Sequence, residues 1–326
     1  MKKIASYLKE LAGVILLAAT IPCSTFASQS TGMHFLLVGP SAHNMGASDG
    51  HTAALTGASA IYLNPALLAL EKRNSATLSY MLWPATDTQN SFAGLVYKRG
   101  RQAFGVALLS SLNDDIPLRT EPSPTPAGYI AVRYFTLAGS YSRIIGPLSL
   151  GVTGMYLYEQ FTPHDASGFA MNAGAALNLL DERVRVGVSA RNLGSMQDLA
   201  ETATRLPTML SVGANVQLLQ FSTTAIEDEI PFLLSVVADY NIPLNEISGS
   251  DEGTILSQDD GYLNAGLELN IAQIIDLRAG VRTGDTQRRF SFGAGIFISD
   301  FYFSYAFLPF QDGFGVAHAV SLQYFF

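Results

Sequence analysis

The chain has 326 residues, 48% hydrophobic and 14% charged, with a formal net charge of −8. Soluble domains carry roughly 25% charged residues, so the composition disfavours a surface bathed wholly in water and suits one that faces lipid. An acidic balance of this size offers no electrostatic case for binding nucleic acid.

Met1–Ala27 reads as a secretory signal peptide. Lys2, Lys3 and Lys9 form the basic start, and Leu11–Pro22 is an apolar run too short for a bilayer span, which takes about 20 residues. Thr25-Phe26-Ala27 then places small residues where a signal peptidase reads them. Cys23 follows Pro22, where a lipoprotein carries a small residue, so lipidation is not expected. Removing this segment takes away the only cysteine, and with three lysines and one glutamate gone the charge moves from −8 to −10. The remaining chain can form no intramolecular disulfide.

Residues 28–74 are rich in Ala, Gly, Ser and His and show no period-2 alternation. Asn64 followed by Pro65 and Ala66 has the form of a helix start: Asn caps an early backbone N–H, and Pro at the first helical position loses nothing. A small helical unit ahead of a barrel would sit in the lumen as a plug or hatch.

From residue 75 onward the pattern has period 2. Segment 183–192 alternates Arg183, Arg185, Gly187, Ser189 and Arg191 against Val184, Val186, Val188 and Ala190. Segments 275–283 and 289–298 alternate in the same way. Each is a strand with one apolar and one polar face. Strands are predicted near 75–82, 91–98, 102–111, 130–145, 148–160, 168–180, 183–192, 208–219, 231–242, 261–271, 275–283, 288–298, 300–308 and 316–326. Short connections such as Arg99-Gly100-Arg101, Gly146-Pro147, Asp181-Glu182 and Ser299-Asp300 fall at every second gap, with longer ones between them. The one exception is 220–230, long where a short turn is due. No stretch is apolar enough for a helical span, so only a closed sheet could satisfy its backbone in lipid. The expectation is an all-β, transmembrane, up-and-down antiparallel barrel of about 14 strands in the outer membrane. Trp83 and Tyr80 sit at one strand end, which fits an interfacial aromatic girdle and core packing equally well. The last strand sets Val316, His318, Val320, Leu322, Tyr324 and Phe326 on one face, and Tyr324 with Phe326 forms the expected signal for the barrel-insertion machinery.

Several stretches taken together resemble the PorV/PorQ family of FadL-like outer-membrane proteins. They are Phe35–Gly39, Met45-Gly46-Ala47, Tyr62–Ala66, Ala190–Gly194, Leu206-Pro207, Ala238-Asp239-Tyr240, Leu277–Arg282, Tyr305–Pro309, His318 and Ser321-Leu322. Ser48-Asp49-Gly50-His51 stands where the family commonly has an acidic run. The resemblance implies a fourteen-stranded barrel with an N-terminal hatch, and two activities. One is docking or shuttling exported proteins at the cell surface with type IX secretion components, in which outer loops 112–129 and 243–260 would contact partners. The other is FadL-like uptake of a hydrophobic small molecule, with an apolar pocket under the hatch.

No catalytic constellation is visible: there is no Gly-x-Ser-x-Gly elbow, and the neighbouring His164 and Asp165 read as loop. No cofactor is expected. His34, His43 and His51 fit no metal-ligand spacing and are expected to line the lumen, with no metal. The lumen charges are expected to be Arg183, Arg185, Arg191, Glu268, Asp276, Arg278, Arg282 and Arg289, as a salt-bridged interior rather than a selectivity ring. The acidic stretch 243–260 reads as a solvated loop.

Overall fold

The computed structural model describes residues 31–83, 87–119, 125–225, 228–244, 261–285, 287–311 and 313–326. The expected signal peptide and most of the acidic stretch 243–260 lie outside the described residues.

Fourteen antiparallel strands close into one barrel. They run in chain order as β1 (Ser75–Trp83), β2 (Thr88–Arg99), β3 (Gln102–Leu118), β4 (Gly128–Ile145), β5 (Leu148–Phe161), β6 (His164–Leu179) and β7 (Val184–Met196). A two-stranded hairpin, β8 (Asp198–Leu199) and β9 (Thr202–Ala203), decorates the next connection. The wall then continues with β10 (Met209–Ala225), β11 (Asp228–Pro243), β12 (Tyr262–Ile271), β13 (Ile275–Arg282), β14 (Phe290–Ile298), β15 (Phe301–Pro309) and β16 (Val316–Phe325). Each wall strand pairs with its neighbour, and β1 pairs with β16 from Ser75↔Phe325 to Leu82↔His318. Closure removes both sheet edges, as a strand structure in lipid requires.

The alternation is physical as well as statistical. On β15, Phe301, Phe303 and Tyr305 are exposed while Tyr302, Ser304 and Ala306 are buried. On β16, Val320 and Tyr324 face out beside Phe326, and Ala317, Ala319 and Ser321 face in. Large apolar side chains thus cover the exterior around the whole wall. A closed barrel with an apolar outer face all round its wall is an outer-membrane protein. Its short turns mark the periplasmic end, and the 220–230 exception disappears there. β10 runs to Ala225 and β11 begins at Asp228, so the apparent long turn is mostly strand. Outer connections are shorter than the alternation suggests, because β3 and β4 extend to Leu118 and from Gly128 and narrow the expected loop 112–129.

Residues 31–74 occupy the lumen. At the outer end Thr31 bridges Arg205, and at the periplasmic end Asn74 meets Lys98 and Phe326. Between them run short helical turns, His34–Leu37, Ala42–Gly46, Gly57–Ser59, Ala60–Leu63 and Pro65–Leu70. Ile61, Tyr62, Leu67 and Leu68 are buried against Phe92, Val96, Ala103, Leu109, Met155 and Leu157 of β2, β3 and β5. Val38, Ala42 and Met45 pack on Met81, Trp83, Ala306 and Leu308 of β1 and β15. Trp83 is therefore no girdle residue: it points inward, 5.1 Å from the Phe310 ring, because it shares inward parity with Met81.

Candidate functional site

The interior is a plug in a seat, and the seat is built largely from small and polar wall residues. Asn64 is its hub. Its Oδ1 accepts from Ala66 N at 3.1 Å, while its Nδ2 donates to Thr52 O at 2.7 Å and Ala175 O at 3.3 Å. Capping starts the turn Pro65–Leu70, with Pro65 at its first position. This turn is a 3-10 helix. The carbonyl of Ala66 is taken by wall hydroxyls, Ser149 Oγ at 2.6 Å and Ser142 Oγ at 3.1 Å. Thr153 Oγ1 donates to Ile61 O and Asn172 Nδ2 to Tyr62 O.

Close approach depends on wall glycines. Gly151 and Gly174 stand opposite each other on β5 and β6. A Cβ at Gly174 would lie 1.9 Å from Asn64 Oδ1, and one at Gly151 would lie 2.3 Å from the Pro65 carbonyl carbon. A Cβ at Gly187 would meet Thr52 O at 2.2 Å.

On the other side the seat is charged. Asp49 Oδ2 pairs with Arg288 Nη2 at 2.8 Å and lies 3.9 Å from Arg282 Nη1, while Asp49 Oδ1 accepts from Gly39 N. Asp239 Oδ2 accepts from Thr52 N at 2.7 Å, and Arg185 Nη1 donates to Ala53 O at 3.2 Å. Ser291 Oγ accepts from Ser48 N and donates to Gly46 O. His51 Nε2 lies 3.1 Å and His43 Nε2 3.7 Å from Glu268 Oε1. Burial, reinforced by Arg278, holds the His43 imidazole well below its ordinary pKa. Burial likewise raises the Glu71 carboxyl, whose Oε1 accepts from Gly57 N at 2.7 Å.

Of the expected lumen charges, Arg185, Arg191, Arg278 and Arg282 are buried inside, and Glu268 faces the plug histidines. Asp276 is half-buried and accepts from Asn270. Two placements need correction. Arg183 sits exposed after a tight turn in which Leu180, Asp181 and Glu182 all have positive φ, so strand parity has not yet begun. Arg289 is exposed for a similar reason: Asp285 Oδ1 accepts from the backbone N–H of Gln287 and of Arg288, and this turn aims Arg288 inward instead. The ion pairs seen around these arginines run between plug and wall. Asp49, the carboxylate that Arg282 and Arg288 share, belongs to the plug. Sequence reasoning missed Asp49, Asp239 and Arg288, since a lone charge in a loop or strand does not announce its partner.

His43, His51 and Glu268 place their ligand atoms within 4.8 Å of one another, the one such metal-capable group among the described residues. Sequence spacing did not reveal it because Glu268 comes from β12. The Arg278 guanidinium lies against Nδ1 of His43, which makes Nδ1 an acceptor and supplies positive charge to the cluster. That arrangement favours a latch between plug and wall over a cation site.

The gap between Phe35, Val38 and Pro40 of the plug and Met81, Phe92 and Leu109 of the wall is about 10 Å³.

No protein-family model matches the chain, and no curated protein matches it. Solved structures do. The toluene transporter TbuX of Ralstonia pickettii superposes with a TM-score of 0.57 at 15% identity, covering 89% of this chain and 98% of that one. The CymD monoaromatic hydrocarbon channel gives 0.53 at 14%, covering 89% and 97%. The Pseudomonas putida toluene transporter TodX gives 0.53 at 12%, covering 91% and 97%. At these identities the likeness is one of fold: the chain is a fourteen-stranded, FadL-like outer-membrane barrel.

Proposed function

We propose that the protein admits hydrophobic small molecules through the outer membrane, with residues 31–74 as a hatch that must be displaced for passage. The observation that carries this reading is the seat. The plug occupies the lumen but is held along one whole side by side chain to backbone hydrogen bonds and a few ion pairs, which water can replace. The neighbours of the same fold are named as channels and transporters for toluene and monoaromatic hydrocarbons, which suggests the solute class. A docking role with type IX secretion components gains no support from those neighbours, and much of the outer-loop surface it needs lies outside the described residues.

The test is uptake into proteoliposomes. Barrel-containing vesicles should take up radiolabelled toluene faster than empty ones, and Asp49→Asn should raise the rate by loosening the hatch. Uptake no faster than in empty vesicles, for both proteins, would refute the channel reading. Co-purification of exported proteins in stoichiometric amount would turn the assignment towards docking.

A further inference from the structure

The periplasmic rim of the wall carries a basic cluster that the hatch does not use. Arg99 and Arg101 flank Gly100 in the β2–β3 turn, and Arg143 lies near the end of β4. Pairing sets Arg99 opposite Gln102 and Gln102 opposite Arg143, so Arg99 and Arg143 flank Gln102 across three adjacent strands. All three arginines are exposed, and among the described residues no acid pairs with any of them. Arg101 reaches only the Gly146 carbonyl, at 3.5 Å. In a chain of net charge −8 this is a local excess of the opposite sign.

What lies above the cluster gives the ligand its shape. One outward step towards the bilayer centre, Tyr97, Phe104 and Tyr141 stand opposite one another, all exposed, with the Phe104 and Tyr141 rings 5.3 Å apart. One step further, Gly139 faces Gly154 across β4 and β5, between Val106 and Met171. A Cβ at either glycine would meet nothing within 4 Å, so the pair leaves a notch in an otherwise bulky outer face. Each step is about 7 Å along a strand. The order from the rim inward is guanidinium, aromatic ring, apolar notch.

We propose that this strip binds an anionic glycerophospholipid of the periplasmic leaflet. The arginines take the phosphate, which guanidinium recognises through paired N–H donors. The rings lie at the ester level, where aromatic girdles sit, and the notch seats the upper part of one acyl chain. The site is on the lipid face, apart from the hatch, and stands whether or not solute passes.

Native mass spectrometry of the full chain in zwitterionic detergent tests it, with phosphatidylglycerol and phosphatidylcholine of identical chains as probes and inorganic phosphate as competitor. A one-to-one complex with phosphatidylglycerol, bound at least tenfold more tightly than phosphatidylcholine, is expected. The combined R99Q, R101Q and R143Q variant should weaken it about a hundredfold, at roughly fivefold per charge. Gly139→Leu with Gly154→Leu, which fills open space, should weaken it while leaving the barrel folded. Arg133→Gln, at the outer end of β4, should change nothing. Equal binding of the two lipids, unchanged binding in the triple or the glycine variant, or competition by inorganic phosphate at equal concentration would each overturn the proposal.

Discussion

The contact between Asn64 and Gly174 allows the hatch seat to be tested as a coupled pair. Asn64→Ala removes a cap worth about 1 kcal/mol and two hydrogen bonds worth about 1 kcal/mol each, so the turn Pro65–Leu70 should be held less firmly by roughly 3 kcal/mol. Gly174→Ala drives a Cβ to 1.9 Å from Asn64 Oδ1, and overpacking of this kind costs about 2 kcal/mol. Independent effects would sum to about 5 kcal/mol. They are not independent, because Asn64→Ala deletes the atom that the new Cβ strikes, leaving Pro65 Cδ at 3.3 Å as the nearest remaining neighbour. The double variant should therefore lose only about 3 kcal/mol, a coupling of about 2 kcal/mol. Hydrogen exchange at the Leu67 and Ala69 amides reads the opening free energy. These amides donate to Asn64 O and Ser142 Oγ. Protection should fall roughly a hundredfold in Asn64→Ala and hardly further in the double variant. A further thirtyfold fall on adding Gly174→Ala would show additivity and refute the seat geometry.

Other outcomes follow from the charged half. Asp49→Asn leaves Arg288 buried without its anion and should loosen the hatch by about 3 kcal/mol, and Arg288→Gln should do much the same. Arg183→Gln and Arg289→Gln, exposed at their turns, should stay within about 0.5 kcal/mol; hatch-amide exchange distinguishes the two pairs, and equal effects would contradict the placement. The pH response has a definite sign. His43 is held below its usual pKa by burial and then by Arg278, while Glu268 opposes this and His51 and Tyr302 also face it. A released hatch binds the proton that the seated one refuses, so seating should strengthen as pH rises and level off above the free value of 6.5. Below it the hatch should loosen by up to about 1.4 kcal/mol per pH unit. Conductance in planar bilayers at pH 7.5 and 5.5 should show more opening at the lower value, and His43→Gln should flatten the difference.

The wall was legible because its rule is local. One face meets lipid and the other does not, so every strand repeats the alternation, and β5, β12 and β13 came out within a residue of their ends. Loop lengths were less legible, since β3, β4, β10 and β11 run past their predicted bounds into residues without a strict apolar alternation. The plug was readable only where a local motif marked it, at Asn64-Pro65. Its partners come from wall residues more than a hundred positions away, as Ala175 is from Asn64 and Arg288 from Asp49, and nothing local records such pairs. Parity also fails where a strand has not started, which is why Arg183 and Arg289 were misplaced and Arg288 was overlooked.

The two halves of the hatch are held by different forces, and this decides which moves first. Residues 57–70 bury Ile61, Tyr62, Leu67 and Leu68, and exposing each large apolar side chain costs roughly 1.5–3 kcal/mol. Residues 46–53 bury no side chain larger than alanine that is apolar, and hold the wall through Ser291, Arg288, Glu268, Asp239 and Arg185. Contacts of that kind exchange with water at a net cost of about 1 kcal/mol each, whereas lost apolar burial has no such substitute. The hatch should therefore open by release of 46–53 while 57–70 stays docked, swinging away from β7 and β11–β14 and not from β2–β6. Exchange should be fastest at the Ser48 and Thr52 amides and slowest at Leu67, and a urea series should separate them further. Uniform exchange across 42–70 would mean that the hatch leaves as one body, and the division of forces would then have no bearing on gating.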